Sequence, residues 1–353
     1  MASFPRGLPA PRSCPLRGGA TLRWGILAPG EIARDFTTAM HTYTDQRVHA
    51  VASRSIERAQ LFATTHGIAK AYGAYEELVA DPAVEVVYIA APHSEHARLT
   101  LLAISAGKHV LVEKPIALNA DEARAIAAAA RSAGVFVMEA MWSRYLPQTD
   151  VASQLIDDGV LGDIRLVTAD FGERLPIDPA GRGYSPKLGG GALLDLGVYP
   201  VWFASFVLGA PKSVSATGSL TATGVDEQSA LVLDYASGAQ ALLSTNLLVQ
   251  TPGVAVASGS DARLEFDPLF LMPGGFQVVS AHSDERFVWR DASGLHGRDG
   301  LAWEAAAVAQ HIADGLTESP LHPLDRSISM MEIIDEGRRQ VGYLNFPHLR
   351  CTP

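Results

Sequence analysis

The chain has 353 residues, with 28 Lys and Arg against 38 Asp and Glu, for a formal net charge of −10. Hydrophobic residues make up 48% and charged residues 19%, a globular rather than a disordered composition. An acidic chain without a basic stripe excludes a free-standing nucleic-acid binder and disfavours an anionic lipid surface, and no apolar run approaches the roughly 20 residues of a membrane span. At roughly 150 residues per domain, the length predicts two domains. Cys14 and Cys351 both lie in the tails. That argues against a disulfide framework or a cysteine metal site and for a reducing, cytoplasmic compartment.

Residues 1–20 carry four prolines, three arginines and no acid. They read as a disordered leader; without an apolar core they do not read as a secretory signal. A strand–helix rhythm then begins. Strands are expected at Leu22–Ala28, Val48–Ser53, Val84–Ala90, His109–Val112 and Val135–Glu139. Helices are expected at Ile32–His41, Ser55–His66, Tyr75–Val79, Ser94–Ala106 and from Asn119 to Gly134, with Glu122 as the capping-box partner of Asn119. Such alternation predicts a doubly wound parallel sheet over residues 21–142, a Rossmann-type α/β domain. Beyond Trp142 a helix at Thr149–Asp158 and a strand at Ile164–Phe171 precede a helix near Leu193–Phe206. Strand-length runs follow at Val214–Leu220, Ser229–Tyr235, Ala239–Leu248, Val254–Gly259, Ala262–Phe266 and Gln277–Ser280. Residues 143–323 therefore read as an α+β domain with an open, mostly antiparallel sheet. Helices Leu301–Asp314 and Leu324–Val341 close the chain.

Five constellations carry chemistry. Ala28-Pro29-Gly30-Glu31-Ile32-Ala33 sits where a dinucleotide fold has its glycine fingerprint, although alanine replaces the first glycine. The pyrophosphate would rest on the backbone amides at the helix start. Ser53 and Arg54, with Arg58 a turn later, stand where NAD-preferring folds place a carboxylate. Serine and arginine there favour NADP, with NAD as the second choice. The segment from Ala90 through Pro92 and His93 to His96 ends a central strand. The two histidines could suggest a metal, but no third ligand is near, and a wall of the cofactor pocket is the better reading; no metal is expected. Glu113-Lys114-Pro115 follows another central strand, and Pro115 biases Lys114 to extended backbone at the cleft rim. In Gly189-Gly190-Gly191-Ala192-Leu193-Leu194-Asp195-Leu196-Gly197-Val198-Tyr199, Asp195 and Tyr199 are four apart and are expected on one helix face.

With these motifs in hand, the chain resembles the glucose–fructose oxidoreductase/inositol dehydrogenase (Gfo/Idh/MocA) family from about Arg23 to Phe346. Glu113-Lys114-Pro115 and the Asp195–Tyr199 segment, at their mutual distance, carry the resemblance. Tyr199, where many members have histidine, and Met141-Trp142-Ser143-Arg144-Tyr145 look like the dimeric dihydrodiol dehydrogenase and D-xylose dehydrogenase branch. The resemblance implies NADP, a sugar, polyol or trans-diol substrate, and a homodimer or homotetramer formed through the C-terminal sheet. It also implies that the last helix packs back on the first domain. Alcohol oxidation needs a proton acceptor, and a free tyrosine, with a pKa of about 10, needs a nearby cation to serve. The expected roles are Tyr199 as acid/base, Lys114 as its electrostatic partner and Asp195 as orienter. Trp142, Arg144 and His93 are expected to line the substrate pocket. The alternative is a non-catalytic NADP sensor on the same fold.

Overall fold

The computed structural model describes residues 7–343. Cys351, Phe346 and the first six residues of the leader lie outside them. The first sheet is formed by β1 (Arg23–Leu27), β2 (Arg47–Ala52), β3 (Lys70–Tyr72), β4 (Val86–Ile89), β5 (His109–Glu113) and β6 (Val137–Ala140). Its order is β3-β2-β1-β4-β5-β6, and every pairing is parallel. Strand β4 is buried at all four positions, as a sheet covered on both faces requires. The crossovers are α1 (Glu31–Tyr43), α2 (Ile56–His66), α3 (Tyr75–Val79), α4 (His96–Ser105) and α5 (Ala120–Ala133). Gly25 in β1 lets α3 approach: a Cβ there would meet Leu78 Cδ2 at 2.6 Å.

Strand order reverses between β1 and β4, so the loops after them diverge and leave a crevice at the carboxyl edge. That crevice positions the site. The predicted α5 cap is only half formed: Asn119 accepts from the Glu122 amide at 2.9 Å, but the Glu122 carboxylate reaches the amide of Leu118 at 3.0 Å.

After α6 (Pro147–Asp157) the second sheet begins with β7 (Ile164–Gly172). Two helices follow, α7 (Ala192–Asp195) and α8 (Val198–Leu208). The remaining strands are β8 (Ser213–Leu220), β9 (Asp226–Asp234), β10 (Gln240–Asn246), β11 (Ala255–Gly259), β12 (Ala262–Phe266), β13 (Gly275–Ser280) and β14 (Arg286–Arg290). The order is β14-β13-β12-β11-β7-β10-β9-β8, antiparallel except for β7 against β10. The aromatic helix α8 covers one face, with Trp202 and Phe203 packed against Phe270. Among the described residues no single helix is long and apolar enough to cross a membrane.

α9 (Leu301–Ala313) and α10 (Leu324–Val341) end the described chain. α10 packs on both α5 and β8. Its Arg338 donates to Leu118 O at 2.9 Å, while the Gln340 amide pairs with Val214 O and the Ala216 amide, each at 2.8 Å, on the free edge of β8. The leader also differs from expectation. From Gly7 it is coil tied to both units, with Arg12 on Asp150 at 3.1 Å and Arg17 on Asp45 at 3.2 Å. Its arginines find acids on the folded surface, which a reading of its composition alone does not reveal.

Candidate active site

One cavity of about 690 Å³ runs along the crevice, bounded by the loops after β1, β2, β4 and β5 and by the second domain. Of the residues expected to bind cofactor, Ala28, Pro29, Gly30, Glu31, Ile32, Ser53, Arg54, Arg58, Ala90, Pro92, His93, His96, Glu113 and Lys114 all line it. Ala28 holds φ +65°, the left-handed conformation for which glycine is the usual residue. The replaced glycine therefore changes the residue and leaves the turn. Gly30 opens α1 in extended backbone, with no side chain capping the helix start. The Gly30 amide itself donates to Ala28 O at 2.8 Å, and the helix-start amides that follow it are available to an anion. At the far end Ser53, Arg54, Ser55, Arg58 and Tyr75 line the cavity, with the two arginines close enough to act on the Tyr75 hydroxyl. Ser55 caps α2 through the Arg58 amide at 3.3 Å. Neither arginine is engaged by a carboxylate among the described residues. A donor set of two guanidiniums and the Ser53 hydroxyl fits a phosphate, while the Ser55 hydroxyl is spent on Glu57 Oε2 at 2.6 Å.

At the other end Lys114 Nζ donates to Asp195 O at 2.7 Å and Asp195 Oδ1 at 3.2 Å. It also lies 5.0 Å from the centre of the Tyr199 ring. Arg182 places Nη1 2.8 Å from each Asp195 oxygen. Burial works against the charge of Asp195, yet Lys114 and Arg182 hold it below the usual carboxylate range. Trp142 Nε1 donates to the Tyr199 hydroxyl oxygen at 3.0 Å. Burial raises the Tyr199 hydroxyl above its ordinary value, with Lys114 and then Trp142 opposing. The lysine thus limits a rise that burial causes, and no net depression results.

His93 donates from Nδ1 to Gly189 O at 2.8 Å, which leaves its Nε2 lone pair facing the cavity, 3.9 Å from Asp195 Oδ1. Burial lowers its pKa to about 3, so the ring is neutral. His96 staples two loops, with Nδ1 2.7 Å from Pro115 O and Nε2 2.9 Å from Ala91 O. Glu113 accepts from the Tyr88 hydroxyl and from the Lys114 amide at 3.1 Å, which fixes the start of the lysine loop.

Two expectations are corrected. Asp195 and Tyr199 do not share a helix: α7 ends at Asp195, α8 starts at Val198, and the chain bends by 48° between them. A Cβ on Gly197 would meet Leu193 Cα at 2.9 Å, so the break packs too closely for a larger residue. Arg144 does not line the cavity. The turn at Trp142–Tyr145 sends Trp142 inward and Arg144 into the seam with the second domain, where it donates to Leu321 O at 3.1 Å and covers the Phe206 ring. The cavity also recruits residues that the sequence did not disclose, among them Phe171, Glu173, Arg182, Lys187, Met272 and Arg298. Arg182 had one usable signal, the glycines around it: Gly191 N bonds Gly183 O at 3.0 Å, folding the loop back onto Asp195.

Gly191 itself holds φ +121°, and a Cβ there would clash with Asp226 Oδ1. Gly191→Ala is expected to cost at least about 2 kcal/mol of stability, measured by urea unfolding, since overpacking adds to backbone strain.

A dinucleotide-type crevice that ends at a buried Lys–Asp–Tyr cluster defines an NAD(P)-dependent dehydrogenase acting on CH–OH groups. Residues 22–141 match the oxidoreductase family with an NAD-binding Rossmann fold, and residues 150–265 match the GFO/IDH/MocA C-terminal domain. The chain belongs to the GFO/IDH/MocA oxidoreductase family. It is 39% identical to trans-1,2-dihydrobenzene-1,2-diol dehydrogenase of Mus musculus, over 92% of this chain and 98% of that protein. The Homo sapiens enzyme of that name is 37% identical, with the same coverage of both chains. Among solved structures, a 3-ketoreductase from Actinomadura kijaniata in complex with NADP and TDP-benzene superposes with a TM-score of 0.78 at 28% identity, covering 91% of this chain and 98% of that one. An aldose-aldose oxidoreductase from Caulobacter crescentus gives 0.80 at 25% identity, covering 91% and 97%. The sensor alternative is not favoured: these relatives are enzymes.

Proposed function

We propose that the protein is an NADP-dependent dehydrogenase that oxidises a secondary alcohol of a cyclic trans-diol, polyol or sugar, with Tyr199 as acid/base. The observation that carries this is the Tyr199 hydroxyl, held by Trp142 and backed by Lys114, at the inner end of a cavity built for a dinucleotide. NADP, when bound, supplies the hydride acceptor. The protein's own residues handle the proton. Trp142 occupies one lone pair of the Tyr199 oxygen and stabilises negative charge there. Lys114, fixed by Asp195, adds its positive charge along the ring. The neutral His93 offers Nε2 as acceptor to a second substrate hydroxyl. Phe171 stands edge-on to Tyr199 at 5.6 Å and, with Trp142 and Met272, gives an apolar wall suited to a ring face. The reverse direction, reduction of a ketone or dicarbonyl, uses the same groups with Tyr199 as acid. The test is a panel of dihydrodiols, inositols and aldoses with NADP, followed by absorbance of the reduced cofactor. NADP binding without turnover of any of them would count against the enzyme reading.

The nucleotide preference rests on Arg54 and Arg58. Arg54→Ala is expected to raise the Michaelis constant for NADP by about tenfold and leave that for NAD within about twofold, since only NADP carries the 2′-phosphate. Equal changes would reject the assignment.

The second sheet supports a homodimer. Its uncovered face carries Leu166, Leu242 and Val288, exposed at 36%, 44% and 51%. Leu242→Asp is expected to shift the protein to monomer in sedimentation, because a charge at the centre of an apolar contact is costly.

A further inference from the structure

We propose that Arg298, supplied by the second domain, is a cofactor-holding residue that trades two carboxylates of α1 for the pyrophosphate of the dinucleotide. The inference rests on the reading of the cavity as an NAD(P) site. Arg298 lies in the turn Gly297–Gly300 between β14 and α9 and lines the cavity together with the Ala28–Ile32 loop. Its Nη1 is 3.3 Å from Glu31 Oε1 and also bonds Asp35 Oδ2. Both acids lie on the opening turns of α1, and Glu31 is in the first. They complement the positive end of the helix. A pyrophosphate on the same amides would bring negative charge against them. Only a cation within reach of both can relieve that conflict.

Arg298 meets the requirement because it is the cation already paired with both carboxylates. Arg54 and Arg58 sit beside Tyr75 at the far end. Arg182 and Lys114 are committed to Asp195. The Arg298 side chain is 46% exposed, so its two ion pairs rather than packing hold it in place. Its planar fork can span two phosphate oxygens. The turn that carries it does not depend on it. Asp299 fastens the turn to α1 by accepting from the Tyr43 hydroxyl at 3.1 Å, and it also accepts from the His296 amide at 3.4 Å. Gly300 packs against Pro273, which a Cβ would approach to 2.7 Å. Removing the guanidinium therefore leaves the scaffold standing.

The experiment is calorimetric titration of the full chain with NADP, NAD and adenosine 2′-monophosphate, which lacks a pyrophosphate. Arg298→Leu is expected to weaken NADP and NAD alike by about tenfold, with the 2′-monophosphate unchanged within about twofold. Arg298→Lys should recover part of the loss. Asp35→Asn, which removes a competing carboxylate, is expected to tighten NADP by about threefold. Undiminished NADP binding by Arg298→Leu overturns the inference and leaves the cavity reading intact. Equal weakening of the 2′-monophosphate also overturns it, since that reports general damage. Failure of the unmodified protein to bind either dinucleotide overturns the cavity reading and this inference with it.

Discussion

Replacing Tyr199 with phenylalanine is expected to lower turnover at least about a hundredfold while NADP binding is unchanged. The ring would stay, and with it the edge contact to Phe171 and the packing of Lys114. Only the proton-transferring oxygen goes. The removal also strands the Trp142 indole N–H, which is buried and has that oxygen as its acceptor. A cost of about 1–3 kcal/mol in unfolding free energy is therefore expected alongside the rate loss. The two readouts separate: a fold defect would weaken NADP binding, whereas loss of the acid/base would not. His93 is the rival proton acceptor. Burial lowers its pKa to about 3, so it would hold a proton poorly near neutrality. His93→Asn is therefore expected to raise the Michaelis constant for the alcohol more than it lowers turnover. If Tyr199→Phe keeps turnover within a few fold and His93→Asn abolishes it, the roles are reversed.

The first domain was legible because its signals are local. The longer crossover helices repeat apolar residues at helical spacing, and the central strands have apolar middles, with β4 apolar throughout at Val86–Ile89. Strand β3 escaped notice because three residues, Lys70–Tyr72, carry no periodicity. Strand β14 escaped because its alternation, Arg-Phe-Val-Trp-Arg, belongs to an edge strand with one half-covered face. The apolar run from Leu193 to Phe206 hid its own break, since hydrophobicity continues through Gly197 while the helix does not. Lys114 and Tyr199 were readable from motif and position, at the end of β5 and after the glycine triplet. Arg298 was not, and Arg182 offered only the glycines around it. Each is a lone arginine in coil or a short turn, and its place in the cavity is set by how distant segments fold back. Arg144 shows the converse: a neighbour of a site residue in sequence, it is turned away by a single helical turn.

Lys114→Met is expected to cut turnover by about a hundredfold or more, within the range for removing one preorganised electrostatic partner. Its second effect carries a sign. Burial raises the Tyr199 hydroxyl, and Lys114 is the largest opposing influence. Without the lysine that hydroxyl rises further. Alcohol oxidation needs the deprotonated form, so the ascending limb of the pH–rate profile must move to higher pH. The same substitution removes one of the two cations on the Asp195 carboxylate, whose side chain is 2% exposed. Arg182 remains, so the stability cost should be about 1–3 kcal/mol, below the roughly 3–5 kcal/mol of a wholly orphaned buried charge. Lys114→Arg keeps the charge and should recover most of that stability. It should not recover the rate, because a planar guanidinium cannot place a single ammonium-like donor on both Asp195 O and Oδ1 while lying along the Tyr199 ring. A rate loss in Lys114→Met with no alkaline shift would place the lysine on the substrate and remove it from the phenolate. A shift with little rate loss would mean that Trp142 alone suffices to hold the charge. The geometry favours joint action: Trp142 meets the oxygen directly, and Lys114 supplies the only full positive charge that lies against the ring among the described residues.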